Sequence, residues 1–117
     1  MNKISIIVPC YNEDAALPIY YKEMCKIMAQ MKEEEFELIF VDDGSTDHTL
    51  AEMKTLHEKD ERCQYFSFSR NFGKEAAIYA GLKNATGDYA AIMDVDLQDP
   101  PSLLPKMYEI LQTEDYD

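Results

Sequence analysis

Basic residues are scarce. Eleven Lys and Arg stand against 23 Asp and Glu, a formal net charge of −12 over 117 residues. Binding nucleic acid requires clustered cationic side chains that displace counterions from phosphates, so this composition excludes nucleic acid as a partner. Cysteine is sparse as well: Cys10, Cys25 and Cys63 are odd in number and far apart. They form no disulfide framework and no Cys-x-x-Cys site, which suits a reducing compartment such as the cytoplasm. Long apolar runs are missing. No segment approaches the ~20 apolar residues of a membrane helix, and Ile4–Val8 after Lys3 is too short for a signal-peptide core because Pro9 follows. Neither GxGxxG nor GxxxxGK[ST] occurs, so no glycine-rich loop cradles a phosphate. No Ser/His/Asp or Cys/His nucleophile arrangement is readable, and His48 and His57 fall at surface positions of a helical stretch.

What is present reads as one soluble, globular domain: 46% of residues are hydrophobic and 29% charged. Ile4–Val8 is a β-branched run that Pro9 is expected to stop. Helical spacing follows from Ala15 to Met31, with Asn12 or Asp14 as cap and Glu33–Glu35 as a solvated loop. Phe36–Val41 reads as a second strand, then a helix carrying Leu50, Met53 and Leu56, capped by Thr46 or Asp47. Gln64–Phe68 is a third strand, Lys74–Asn84 a third helix, Asp88–Met93 a fourth strand, and Leu103–Leu111 a fourth helix. Strand–helix alternation of this kind implies an α/β fold: an open, mostly parallel sheet with helices on both faces.

Ligands of such sheets bind beyond the C-terminal ends of the strands. The segments there are the chemically unusual ones: Tyr11-Asn12-Glu13, Asp42-Asp43, Arg70-Asn71 and Asp94-Val95-Asp96. In an extended chain Asp94, Asp96 and Gln98, spaced two apart, point to one side. Three oxygen-bearing side chains so placed suit Mg²⁺ or Mn²⁺; the plainer alternative is a loop in which Asp99 caps the last helix. Of Asp42 and Asp43, one is expected to face the cleft, where it could accept from a nucleobase N–H. Otherwise Asp42, Ser45 or Asp47 forms an Asx turn or cap. Tyr11 can stack on a flat ring or pack on the first helix, and Glu13 can serve the site or simply begin that helix. Arg70 and Lys74 are the bases near the strand ends. They suit a diphosphate, with Gly73 letting the backbone turn closely, or they pair with nearby acids.

"IIVPCYNE", "FVDDGSTD", "SRNFGKEAAIYAGL" and "MDVDLQDPP" occur in this order from Ile6 to Pro101. Together they resemble the nucleotide-binding half of inverting GT-A-fold glycosyltransferases, most nearly the dolichyl-phosphate mannose synthase-like and bactoprenol glucosyltransferase-like subgroup. The pairing of "SRNFGKEAA" with "DLQDPP" is the specific part. The resemblance implies that Pro9, Tyr11 and Glu13 hold base and ribose and that Asp43 contacts the base. It implies that Asp94 and Asp96 form a DxD pair, with Asp96 the stronger ligand of Mg²⁺ or Mn²⁺ and Gln98 assisting. Lys74 and Arg70 would lie near the diphosphate. The donor would be a nucleotide sugar such as UDP-glucose and the acceptor a polyprenyl phosphate, in cell-envelope synthesis at the cytoplasmic face of a membrane.

Members of that subgroup continue past this length with further strands, an acceptor-side loop and membrane helices. Residues 1–117 are therefore expected to be the nucleotide-sugar-binding part, inactive alone, with a bare sheet edge open to self-association. Three other readings compete. One is a GT-A enzyme with a polysaccharide or soluble acceptor, and another a non-catalytic nucleotide-binding module. The third is a phospho-receiver domain, which would need its acids after strands 1 and 3 rather than 2 and 4.

Overall fold

The computed structural model describes residues 2–95 and residue 105. Apart from residue 105, the expected fourth helix lies outside the described residues, as do the lead-in to a fifth strand and Asp96, Gln98 and Asp99. The elements run β1 (Lys3–Cys10), α1 (Ala16–Gln30), β2 (Glu35–Asp42), α2 (Thr49–Lys59), β3 (Cys63–Ser67), α3 (Lys74–Asn84) and β4 (Tyr89–Ile92). The sheet has order β3-β2-β1-β4, and all three strand pairs are parallel. The expected α/β class is borne out.

β1 and β2 are the central strands, in register from Lys3↔Glu35 to Cys10↔Asp42. Each is buried along its length after the first residue or two. That is why both read as continuous apolar runs: a strand covered on both faces has no polar side to alternate with. On one face Ile4, Ile6, Val8, Leu38 and Phe40 pack against α1 and α2 through Leu17, Tyr20, Met24 and Met53. Tyr20 meets Phe40 edge-on, ring centroids 6.3 Å apart. On the other face Ile39 and Val41 receive Ala77 of α3. Each large apolar side chain buried in this way contributes about 1.5–3 kcal/mol.

Several boundaries differ from expectation. β1 does not stop at Val8; it runs through Pro9 to Cys10. In a parallel strand alternate residues face alternate neighbours. Ile7 turns its carbonyl to β4, accepting from Met93 N at 3.0 Å, so Pro9 turns its missing N–H the same way. The β1–β4 ladder has already ended there, at Ile7↔Ile92, and no bond is lost. Glu35 is not loop but the first residue of β2, donating its N–H to Asn2 O at 2.9 Å. Neither α1 nor α2 has a side-chain cap at its N-cap residue, Ala15 or His48. Glu37 is a buried acid on β2. It is matched by Lys3 Nζ at 3.0 Å and by the Thr86 hydroxyl and N–H.

Candidate functional site

The strand order reverses direction between β1 and β4, and this is where a parallel sheet opens a crevice at its C-terminal edge. A cavity of about 380 Å³ lies there. Its described lining comprises Pro9, Cys10, Tyr11 and Glu13 after β1, Asp43 after β2, Lys74 at the start of α3, and Asp94 and Val95 after β4. Tyr11 is exposed and Pro9 buried.

The loops that carry these residues are stapled to one another. Asn12 sits at φ 52°, a left-handed conformation that asparagine tolerates. From there its N–H donates to Ser45 Oγ at 2.9 Å, and its Oδ1 accepts from Thr46 N at 2.8 Å. Glu13 N donates to Thr49 Oγ1 at 2.8 Å, and Asp14 N to Asp47 Oδ2 at 3.2 Å. Burial alone would push the Asp47 carboxyl up, but hydrogen bonds from Thr49 and Asp14 outweigh it and hold the group below the usual carboxylate range. Thr46 and Asp47 therefore serve loop pairing as much as helix capping; Asp47 also accepts from Thr49 N at 2.9 Å.

The paired aspartates divide their work. Asp42 turns away and is buried. Its Oδ1 accepts from Ser45 N at 3.0 Å, closing the turn, and its Oδ2 accepts from Ser67 Oγ at 3.0 Å. Asp43 lines the cavity but is only 4% exposed. Its carboxylate accepts from Phe72 N at 2.7 Å, Gly73 N at 3.0 Å and Asn71 Nδ2 at 3.1 Å. A carboxylate offers roughly four lone-pair sites, so three donors leave about one for a ligand. Asp43 is thus a clamp on the loop before α3 as well as a wall of the cavity. Gly44, at φ +73°, makes the clamp possible: a Cβ there would overlap the carbonyl carbon of Arg70. Two backbones touch at that point, and only glycine permits it. Gly73 turns into α3 at φ +104°.

The two candidate bases part company. Arg70 stacks its guanidinium on the exposed Phe72 ring, 4.7 Å from the centroid, and is absent from the described cavity lining. Lys74 lies in the cavity, its Nζ 2.6 Å from Asp94 Oδ1. Of the expected metal ligands, Asp94 is the described one. Among the described residues no group of three His, Cys, Asp or Glu is placed to hold a metal ion. Asp94 itself fits a hard cation: an oxygen donor, its side chain 27% exposed, already holding a positive group.

Cys10 and Val95 are lining residues that spacing alone did not single out. Continuing the alternation of β1 through Pro9 would have placed Cys10 at the cavity wall. Burial raises its thiol far above the ordinary cysteine range, helped by the charges of Glu13 and Asp42. It therefore stays protonated and does not act as a nucleophile.

A parallel sheet with an acid-walled crevice at its topological switch point is the layout in which open α/β sheets bind their ligands. The chain belongs to glycosyl transferase family 2, whose model matches residues 5–117. It is 45% identical over 107 residues to a prophage bactoprenol glucosyl transferase homolog of Escherichia coli (strain K12), covering 92% of this chain and 35% of that one. Among solved structures, S. aureus TarS 1–349 in complex with UDP aligns with TM-score 0.71 and 26% identity over 95% of this chain and 32% of that chain. A mannosyltransferase from Pyrobaculum calidifontis, PcManGT, in complex with GDP-Man and Mn²⁺, aligns with TM-score 0.75 and 24% identity over 94% and 32%. The GT-A fold implied by the motifs is borne out. The chain spans about a third of the length of the curated relatives it matches. No helix among the described residues is long and apolar enough to cross a membrane.

Proposed function

We propose that this chain is the donor-binding part of a glycosyltransferase that moves a sugar, with UDP-glucose the favoured donor type, from a nucleotide to a polyprenyl phosphate. The observation that carries the reading is convergence: Tyr11, Asp43, Lys74 and Asp94 come from four separate post-strand segments and face one cavity. Its order of parts suits a nucleoside diphosphate. Tyr11 supplies a ring face for the base, Pro9 and Glu13 flank the ribose, and the remaining Asp43 lone pair accepts a base N–H. Lys74 is the base that faces a diphosphate at the cavity, and Arg70 would have to leave the Phe72 ring to reach it.

Asp94, with Asp96 and Gln98 beyond the described residues, would hold Mg²⁺ or Mn²⁺. When bound, such a cation offsets the charge that develops on the diphosphate as the sugar leaves it. A phosphate acceptor is largely ionised near neutral pH, its second pKa being about 6. It needs little help from a general base, which fits a cavity without histidine among its described lining residues. The relatives' names direct the acceptor reading to bactoprenol-type lipids, and with it a place at the cytoplasmic face of a membrane. β4 has a strand partner on one side only among the described residues, so the chain is also expected to associate with itself along that edge.

Calorimetric titration with UDP, GDP and their sugars, with Mn²⁺ and with chelator, tests the assignment. Metal-dependent nucleotide binding is expected, and Asp96→Ala should abolish the metal dependence while leaving the fold intact. Equal affinity in that variant would remove the metal assignment.

A further inference from the structure

The cavity's charges are unbalanced. Glu13, Asp43 and Asp94 line it against the single described base Lys74. Two of the four are engaged with each other: Lys74 Nζ lies 2.6 Å from Asp94 Oδ1. Asp43 is occupied by the 71–73 loop, which fixes where the backbone of Lys74 starts. Beyond that anchor a lysine is a compact charge on a flexible four-carbon stem, with three donors to reassign. A carboxylate as shielded as Asp94, its side chain 27% exposed, is better satisfied with a cationic partner than without one.

We infer that Lys74 is a place-holding cation: it neutralises Asp94 in the empty site, is displaced when a divalent cation takes that carboxylate, and moves to the diphosphate arriving beside it. The inference rests on the donor-binding reading above and adds to it the residue through which the two ligands are coupled. A divalent ion at Asp94 and an ammonium 2.6 Å from the same carboxylate repel each other, so metal alone must compete with Lys74. A diphosphate alone must likewise draw Lys74 from Asp94 and leave that acid facing its own negative charge. Together the two ligands resolve both conflicts. Cation and nucleotide therefore bind with positive coupling, each raising the affinity of the other by the same factor, as linkage demands.

The test is Mn²⁺ binding by electron paramagnetic resonance and UDP binding by calorimetry, each ligand alone and in the presence of the other. The proteins are the unaltered chain, Lys74→Met and Lys74→Arg, with circular dichroism confirming equal folding. In the unaltered chain the coupling should be at least about five-fold, the lower end for coupled sites. Lys74→Met should bind Mn²⁺ alone about five-fold more tightly, and its coupling to UDP should fall by the same factor. Lys74→Arg, which can still pair with Asp94, should keep the weak binding of Mn²⁺ alone.

Unchanged or weaker Mn²⁺ binding by Lys74→Met overturns the inference. So does a gain of the same size with and without UDP, because a general field effect would not vanish when the nucleotide is bound. If the unaltered chain binds neither Mn²⁺ nor UDP, the donor-binding reading itself fails. If it binds both and Lys74→Met changes nothing, only the exchange fails.

Discussion

Asp43→Asn is a nearly isosteric change with a calculable cost. The carboxylate of Asp43 has no spare donor capacity and receives three N–H groups, from Phe72, Gly73 and Asn71. An amide keeps one acceptor oxygen and turns the other position into a donor. If the NH₂ replaces Oδ1 it faces Phe72 N, 2.7 Å away. If it replaces Oδ2 it faces Gly73 N and Asn71 Nδ2. Either orientation deletes at least one bond to a charged acceptor, worth about 1.5–3 kcal/mol, and sets donor against donor in a buried place.

A loss of about 2–3 kcal/mol is a large share of the ~5–15 kcal/mol that holds a domain together. At about 4 °C per kcal/mol for a domain of this size, the midpoint should fall by ~8–12 °C. Thermal unfolding by circular dichroism reads the first quantity. Hydrogen exchange at the Phe72 and Gly73 amides reads the second, since both should exchange faster than in the parent while β2 stays protected. Nucleotide binding should weaken too, because Lys74 follows the loosened loop directly. A midpoint within about 2 °C of the parent, with unaltered exchange at those two amides, would show that the clamp does not hold the loop.

Glu37 supplies the pH dependence. Burial pushes its carboxyl up, but hydrogen bonds from Thr86 and Lys3 and the Lys3 charge more than offset this and place it below the ordinary value. Its contribution to stability is therefore present above the unfolded value and lost as pH falls through the folded one. Urea midpoints of the parent and Glu37→Gln should differ at neutral pH and converge as pH falls below the ordinary carboxylate range; a constant gap would assign the acid sensitivity elsewhere. Self-association along β4 should show in light scattering as mass rising with concentration. Ile92→Lys, at a residue 46% exposed on that strand, should reduce it; strictly monomeric scattering for the parent would dismiss the edge as a contact.

The fold was legible wherever one local pattern dominates. The bounds of α3 match expectation at both ends, because Gly73 supplies a clean start and polar Asn84 a clean stop. β1 was cut short because proline was weighed as a strand breaker, and which neighbour lacks a hydrogen bond at Pro9 is a property of the whole sheet. The site was legible as a set of segments, since the strand-end rule needs only element order. The tasks within it were not. Asp42 and Asp43 are identical neighbours in sequence. One binds the turn at Ser45 and the other the loop at 71–73, and that partner arrives from 28 or more residues away. Likewise the choice between ion pair and diphosphate at Lys74 depends on where Asp94 stands in space.

The same division of labour explains how so acidic a chain can receive an anion. Counting acids at the strand ends suggests a surface that repels phosphate. Asp42, Asp43 and Asp47 instead receive N–H and O–H donors from their own and neighbouring loops, and an ionised acid so bonded has much of its field answered locally. They act as ties between the β1, β2 and β3 loops, converting three mobile connections into one wall. Of the acids that line the cavity, Asp94 is the one on which Lys74 already stands. The cavity is thus less negative than its composition. On the proposed donor-binding reading, its affinity for a diphosphate turns on a single exchange of cations at Asp94, so substitutions that disturb the wall should change stability and binding together, whereas those at Lys74 should change binding with the fold intact.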